Sequence, residues 1–360
     1  MQAPSLTRRH VLALPSALAL PRLQGRDVHD PLTWGVGGKG WSDTARPYAR
    51  LPRKAEKVVR DVVWNLAQDS AGLTVGFETD STAIDITVTL RSGQLDMVHM
   101  PATGVSGVDV YARNEEGAWR WVACGQPRAQ SYTLSLKGLR PGRREYRLYL
   151  PLYNGVDELA IETGPGAHFK GLAPSTEKPI LIYGTSIAQG ACASRPGMAW
   201  PAILGRRLDR PVLNLGFSGN GKMEGEVAAL LAELDPALYV IDCLPNMNAP
   251  LVTERAAPLV RTLRSARPKT PIFLVEDRRF SNSSWYPSRE EHHSGNHAAL
   301  REAYRLLRED EGVRGLHYVE DAPFMGPDGE GAVDGSHPSD LGMMRWADVM
   351  ALRLQPFLED

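Results

Sequence analysis

The hydrophobic period of this chain changes once, near Pro179, and that change limits the folds open to it. From about residue 30 to residue 163, apolar and polar residues alternate in short runs. The clearest runs are 73–79 and 83–90, followed by 107–112, 119–123, 131–136, 144–150 and 158–161. A period of two marks strands with one buried face, and Asn114-Glu115-Glu116-Gly117 supplies a hairpin-type turn between two of them. Short strands at this spacing, with almost no helical periodicity, predict an antiparallel sandwich of jelly-roll type over 30–163. Residues 164–178, with Gly164-Pro165-Gly166 and Pro174, read as a linker. From 179 to 360, apolar strands alternate with helical stretches, as in a parallel sheet covered by helices on both faces. Strands are expected at 180–183, 212–215, 238–243, 272–276 and 316–319. Helices are expected near 199–208, 222–234, 251–266, 296–309 and 341–358.

A chain of 360 residues has room for two domains. Lys and Arg number 41 against 42 Asp and Glu, so the formal charge of -1 points away from nucleic acid. No apolar run has the length of a bilayer span. At the N-terminus, Thr7-Arg8-Arg9-His10-Val11-Leu12 precedes a modest apolar segment ending near Ala17-Leu18-Ala19. This resembles a twin-arginine export signal over residues 1–25, and implies a mature chain that starts between 20 and 27 and works in the periplasm or outside the cell. Three cysteines, Cys124, Cys192 and Cys243, are too few for a disulfide scaffold. Buried free thiols are expected, with a Cys192–Cys243 bridge as the alternative.

In the second half, Leu181-Ile182-Tyr183-Gly184-Thr185-Ser186 delivers one serine at the carboxyl end of a strand. That is where open α/β sheets bind ligands, and a helix start there offers free N–H groups to a developing negative charge. Three later segments end at the same sheet edge: 214–221, rich in glycine; 242–248, with Asn246; and Asp334-Gly335-Ser336-His337-Pro338, expected at the mouth of the last helix. Singly they read as turns, an Asx turn and helix caps. Together they supply a nucleophile, oxyanion donors, a base and a carboxylate to orient it.

In that order the segments resemble the four blocks of the SGNH (GDSL-like) hydrolase superfamily, with Thr185 where many members have Asp. The resemblance implies a flavodoxin-like hydrolase domain and a site made of Ser186, Gly219, Asn246, Asp334 and His337. Residues 190–198 resemble a subgroup of bacterial exported esterases in which a small β-domain comes first, and residues 150–159 resemble the end of that domain. Gln189 and Arg195 are candidate substrate contacts. No cofactor or metal is implied. Ser294-Gly295-Asn296-His297 spells the superfamily's letters by coincidence, with Ser294 or Asn296 as a helix cap. Glu276, Asp277, His292 and His293 lack a recognised metal-ligand spacing and read as part of a mobile polar loop at the pocket rim.

These residues suit ester hydrolysis through an acyl-enzyme. Arg278, Arg279, Trp285 and Tyr286 suggest a short-chain, acetyl-type ester on a carbohydrate, so the expected partner is a small-molecule or glycan ester. Acyl transfer, lysophospholipase or thioesterase action, and non-catalytic carbohydrate binding are the alternatives. Trp34, Trp41, Trp64, Trp119 and Trp121 are expected to fill a core or an interface rather than a sugar-binding face.

Overall fold

The computed structural model describes residues 25–320 and 324–358. The arginine pair and apolar segment at residues 7–20 lie outside the described residues.

Nine strands of the first half form two antiparallel sheets: β1 (Asp27–His29), β2 (Thr74–Thr79), β3 (Ala83–Leu90), β4 (Asp109–Arg113), β5 (Trp119–Cys124), β6 (Ser131–Lys137), β7 (Arg144–Tyr149), β8 (Val156–Thr163) and β9 (Phe169–Leu172). Their orders are β1-β8-β3-β6 and β5-β4-β7-β2-β9. The pairs β1·β8, β3·β6, β2·β7 and β4·β5 are those of one long ribbon folded back on itself. Alternation does the packing: Ile84, Ile86, Val88 and Leu90 of β3 are buried with Val75, Phe77, Val110 and Leu148 of the other sheet.

The stretch expected to be a linker contains β9, which pairs with β2 at the sandwich edge. The first half is also not purely β, since it carries the short helices α1 (Asp61–Leu66) and α2 (Ala102–Val105). Trp34 packs on the sandwich core, while Trp41 and Trp64 pack on the parallel-sheet half.

In the second half, β10 (Ile180–Gly184), β11 (Val212–Gly216), β12 (Leu238–Asp242), β13 (Ile272–Val275) and β14 (Leu316–Val319) make a parallel sheet in the order β11-β10-β12-β13-β14. Numbered from β10, this is the flavodoxin-like order 2-1-3-4-5, whose switch point lies between β10 and β12. All five residues of β10 are buried, as a sheet covered on both faces requires. The helices are α3 (Ser186–Gln189), α4 (Trp200–Arg207), α5 (Gly225–Ala232), α6 (Ala249–Ala266), α7 (Pro287–Arg305) and α8 (Asp340–Leu354). One face of the sheet packs on residues of α5, α6 and α7, and the other on α4 and α8.

Both faces also take apolar side chains from the first half. Leu51, Ala55, Val59 and Val63 enter one core, and Met100, Val105 and Leu152 the other. Arg50 is wholly buried between the halves, donating to the carbonyls of Asn214 (3.2 Å) and Gly216 (2.7 Å) on β11 and of Asp69 (3.0 Å). Burial pulls its guanidinium down to about 10, against the opposing pull of Asp69.

Two helix starts differ from expectation. α7 begins at Pro287, nine residues before 296, so the segment expected to be a mobile polar rim is largely helical. Its inner face is polar: His293, Asn296 and His297 are buried. α8 begins at Asp340, capped by Ser339, so His337 lies three residues ahead of the helix rather than at its mouth.

Candidate active site

The strand β10 stops at Gly184, whose added Cβ would lie 2.8 Å from that of Ala188. Thr185 caps α3 by accepting the N–H of Ile187 (3.3 Å), and Ser186 is the helix's first residue, only 6% exposed. As first residue of a helix, its N–H has no intrahelical acceptor. The chain then turns through Gly190 at φ +115°.

Ser186 Oγ lies 2.9 Å from His337 Nε2, and His337 Nδ1 lies 2.7 Å from Asp334 Oδ2. The other oxygen of Asp334 accepts the N–H groups of Ser336 (2.9 Å) and His337 (2.8 Å). Partial burial opposes its ionisation, but those N–H groups and the imidazole outweigh burial and hold the carboxyl at about 2. Asp334 is thus a carboxylate at any ordinary pH. With Nδ1 donating to it, Nε2 is left to accept the Ser186 hydroxyl.

Among the described residues, neither Gly219 nor Asn246 is hydrogen-bonded to Ser186, His337 or Asp334. Register brings their loops alongside that of Ser186, since Gly184 of β10 pairs with Gly216 of β11 and with Asp242 of β12. Gly219 sits at φ +68° with open space where a Cβ would be, and no acceptor among the described residues takes its N–H. Gly221 brings the loop so close that an added Cβ would lie 2.0 Å from the Gly184 carbonyl oxygen. Asn246 closes the turn Leu244–Asn246, and its Oδ1 is buried without a partner.

Two residues expected to contact substrate are committed elsewhere. Gln189 is fully buried; its amide donates to Asp69 (3.2 Å) and the Leu152 carbonyl (3.0 Å) and accepts the N–H of Ser218 (3.0 Å). It supports the Gly219 loop from beneath. Arg195 donates to Asp109 (2.7 Å) and Tyr111 (2.6 Å) of β4 and lies over the Trp121 ring, so it joins the halves. Burial pushes the Asp109 carboxyl up; Arg195, the Gly197 N–H and the Trp121 indole pull it back in part.

Arg278, Asp277 and His293, expected at a polar rim, are buried and hold the catalytic loop instead. Arg278, 3% exposed, donates to the Ser336 carbonyl (3.1 Å), to the Ser336 hydroxyl and to Asp277. Asp277 lies 3.1 Å from His293 Nδ1. Asp242 is buried beside them with both oxygens unpartnered; burial, then the neighbouring Asp277, drives its carboxyl well up. Ser294 and Asn296 lie inside α7 and cap nothing. Asn296 instead donates to the Met247 carbonyl (3.0 Å), next to Asn246. Among the described residues no group of three or more His, Cys, Asp or Glu could hold a metal ion. Cys192 and Cys243 are free and belong to cores on opposite faces of the sheet, which explains why they do not meet.

The first half also reaches Ser186 and His337 themselves. Tyr153 donates to the Ser186 carbonyl (3.4 Å), and the His99 ring lies 5.9 Å from that of His337. A cavity of about 480 Å³ lies elsewhere, lined by Arg113, Trp119 and Arg147 with Pro179 and Val212 at the amino ends of the parallel strands, and Ser186 is not among its walls.

The GDSL-like lipase/acylhydrolase family model matches residues 177–355, and the N-terminus of the SGNH-hydrolase-type esterase, a model named GxDLY, matches 27–169. The letters of the second fit Gly107, Asp109 and Tyr111, with Val110 in the Leu place; Asp109 and Tyr111 are the partners of Arg195. A crystal structure from Bacteroides ovatus ATCC 8483, provisionally assigned as a GDSL-like lipase, is 31% identical over 92% of this chain and 98% of its own, with a TM-score of 0.88. The fold is shared by the salicylyl-acyltransferase of a tetracycline biosynthetic pathway (17% identity, 93% and 98% covered, TM-score 0.75). It is shared more loosely by a family two carbohydrate esterase from Clostridium thermocellum solved with cellohexaose (16%, 79% and 92%, 0.53). No curated protein sequence matches. The chain belongs to the GDSL-like (SGNH) lipase/acylhydrolase family and is a carboxylic ester hydrolase with an N-terminal β-domain.

Proposed function

We propose that this protein is a serine esterase that removes short acyl groups, acetyl above all, from carbohydrate esters through an acyl-enzyme. The hydrogen-bonded series Ser186–His337–Asp334 carries the proposal. Ser186 Oγ attacks the ester carbonyl while its proton passes to His337 Nε2, and Asp334 stabilises the imidazolium. The oxyanion takes the N–H groups of Ser186 and Gly219 and the side-chain amide of Asn246. Each such donor is typically worth on the order of a hundred- to a thousandfold in rate. As the carbon–oxygen bond breaks, His337 returns the proton to the leaving alcohol. A water then repeats the sequence on the acyl-enzyme and restores Ser186.

The carbohydrate part rests on the exposed Trp285 and Tyr286 near the catalytic loop, whose neighbour Ser281 donates to the Gly335 carbonyl (2.9 Å), and on the fold shared with a carbohydrate esterase. The test is hydrolysis of p-nitrophenyl acetate, butyrate and octanoate by wild type and Ser186→Ala. Rates that fall with chain length and vanish in the variant are expected. A preference for octanoate would refute the short-chain reading.

The shared fold with an acyltransferase favours acyl transfer as a second reading. Transfer needs only an alcohol in place of water, so adding free sugars or simple alcohols to the assay and looking for new esters distinguishes the two. The twin-arginine segment at residues 7–20 supports export, and Arg8→Lys with Arg9→Lys should retain the precursor in the cytoplasm.

A further inference from the structure

Between β3 and α2 the chain makes a two-residue hairpin. Met97 and Met100 exchange both backbone hydrogen bonds (3.0 Å each), which leaves Val98 and His99 at the tip. The base of this hairpin is held firmly. Asn154, 1% exposed, accepts the N–H of Ser92 (3.1 Å) and donates to the Ser92 carbonyl (3.0 Å) and the Ser106 hydroxyl (3.1 Å). Met100 is buried in the core that also contains Ile187 and Ala188 of the nucleophile helix. Thr103 donates to the Ser194 carbonyl (2.6 Å), and an added Cβ on Gly104 would lie 2.4 Å from the Ala193 carbonyl oxygen. The tip is therefore anchored in both halves.

At that tip the His99 ring faces the reaction centre, 5.9 Å between centroids from His337 and tilted by 35°. Neither of its nitrogens has a hydrogen-bond partner among the described residues. Val98 beside it is fully exposed, and Met97 is 38% exposed. An imidazole can both donate and accept, so an unpartnered one at the mouth of a site can read neighbouring hydroxyls. A site built to hydrogen-bond a hydroxyl discriminates more sharply than one that only offers apolar contact.

We propose that the Val98–His99 tip forms one wall of the substrate site, and that His99 is a specificity-determining residue that hydrogen-bonds hydroxyls on the alcohol part of the ester. The proposal rests on the reading of Ser186 as the nucleophile of a carbohydrate esterase, and gives the β-domain a direct part in substrate choice.

The test compares acetylated xylo-oligosaccharides, which bear hydroxyls, with p-nitrophenyl acetate, which bears none. In His99→Ala the ratio of kcat/KM on the sugar ester to that on the aryl ester should fall about tenfold, the size of one lost hydrogen bond. His99→Gln, which keeps a donor and an acceptor, should recover most of the ratio. A ratio within about twofold of wild type in His99→Ala, whether both rates hold or fall together, overturns the proposal. Binding is read separately in Ser186→Ala: the same oligosaccharide should shift the His99 ring resonance, and the further change His99→Ala should weaken binding about tenfold. Binding that depends on His99 in a protein whose wild type hydrolyses neither ester would refute the esterase reading and leave the hairpin assignment standing. Hydrolysis that depends on Ser186 but ignores His99 would refute the hairpin assignment alone.

Discussion

The Asp334–His337 loop and the 91–100 hairpin meet where the His99 ring lies 5.9 Å from that of His337, but they are positioned by different means. Asp334 sets its own loop, because one carboxylate oxygen takes two backbone N–H groups within three residues and the other takes the imidazole. The hairpin holds its place through contacts across the chain, from Asn154, from the core around Met100 and from Thr103 against Ser194. The difference separates two kinds of residue. Chemistry sits on short loops set by local contacts, and the first half braces its surroundings with single, buried, long-range contacts. Changes of the first kind should cost rate and spare the fold; changes of the second kind should cost stability.

The largest effect expected is that of Ser186→Ala, a fall in kcat/KM of at least about ten thousandfold with an unfolding midpoint close to wild type. A large loss of stability would show that Ser186 braces the fold as well as acting on substrate. Next is Asp109→Asn, which leaves the partly buried Arg195 guanidinium without its charged partner. Removing one member of such a pair costs about 3 kcal/mol, measurable by urea unfolding, and an unchanged midpoint would deny Asp109 its bracing role. Asn246→Ala should lower kcat about a hundredfold at nearly constant stability. Full rate in this variant would remove Asn246 from the oxyanion site.

The smallest effect depends on pH. Burial pushes the Asp69 carboxyl up from 3.8 to about 6, opposed by Arg50, Arg91 and the Gln189 amide. Because the folded-state value is the higher one, the protonated group's stabilisation is complete below about pH 3.8 and is lost as pH rises through about 6. Asp69→Asn removes that titration. Relative to wild type the variant should gain on the order of 2 kcal/mol between pH 4 and pH 7. Parallel stability curves for the two proteins would contradict the assignment.

The same contrast governs what the sequence could disclose. Ser186 and Asn246 stand in short strings just after strands, Asp334 and His337 in one just ahead of α8, and local pattern finds such strings. Arg50 meets Gly216 across 166 positions, Gln189 meets Asp69 across 120 and Arg195 meets Asp109 across 86, and no window of sequence reaches so far. Gln189 and Arg195 therefore looked free for substrate. β9 was hidden by its length of four residues and by Gly171, whose added Cβ would lie 2.2 Å from the Trp34 ring, so that glycine there serves packing and yet imitates a linker. The first turns of α7 were hidden because their buried face is histidine and asparagine, bonded to the Phe280 N–H and the Met247 carbonyl rather than held by apolar contact. His99 is a lone histidine in a loop, and only its place beside His337 distinguishes it.

The most direct test of the central claim is to treat the protein with diethyl p-nitrophenyl phosphate and map the adduct by peptide mass spectrometry. One diethylphosphoryl group is expected, on Ser186, and it should form far more slowly in His337→Ala. Modification at any other serine, or modification of Ser186 at the same rate without His337, would contradict that claim.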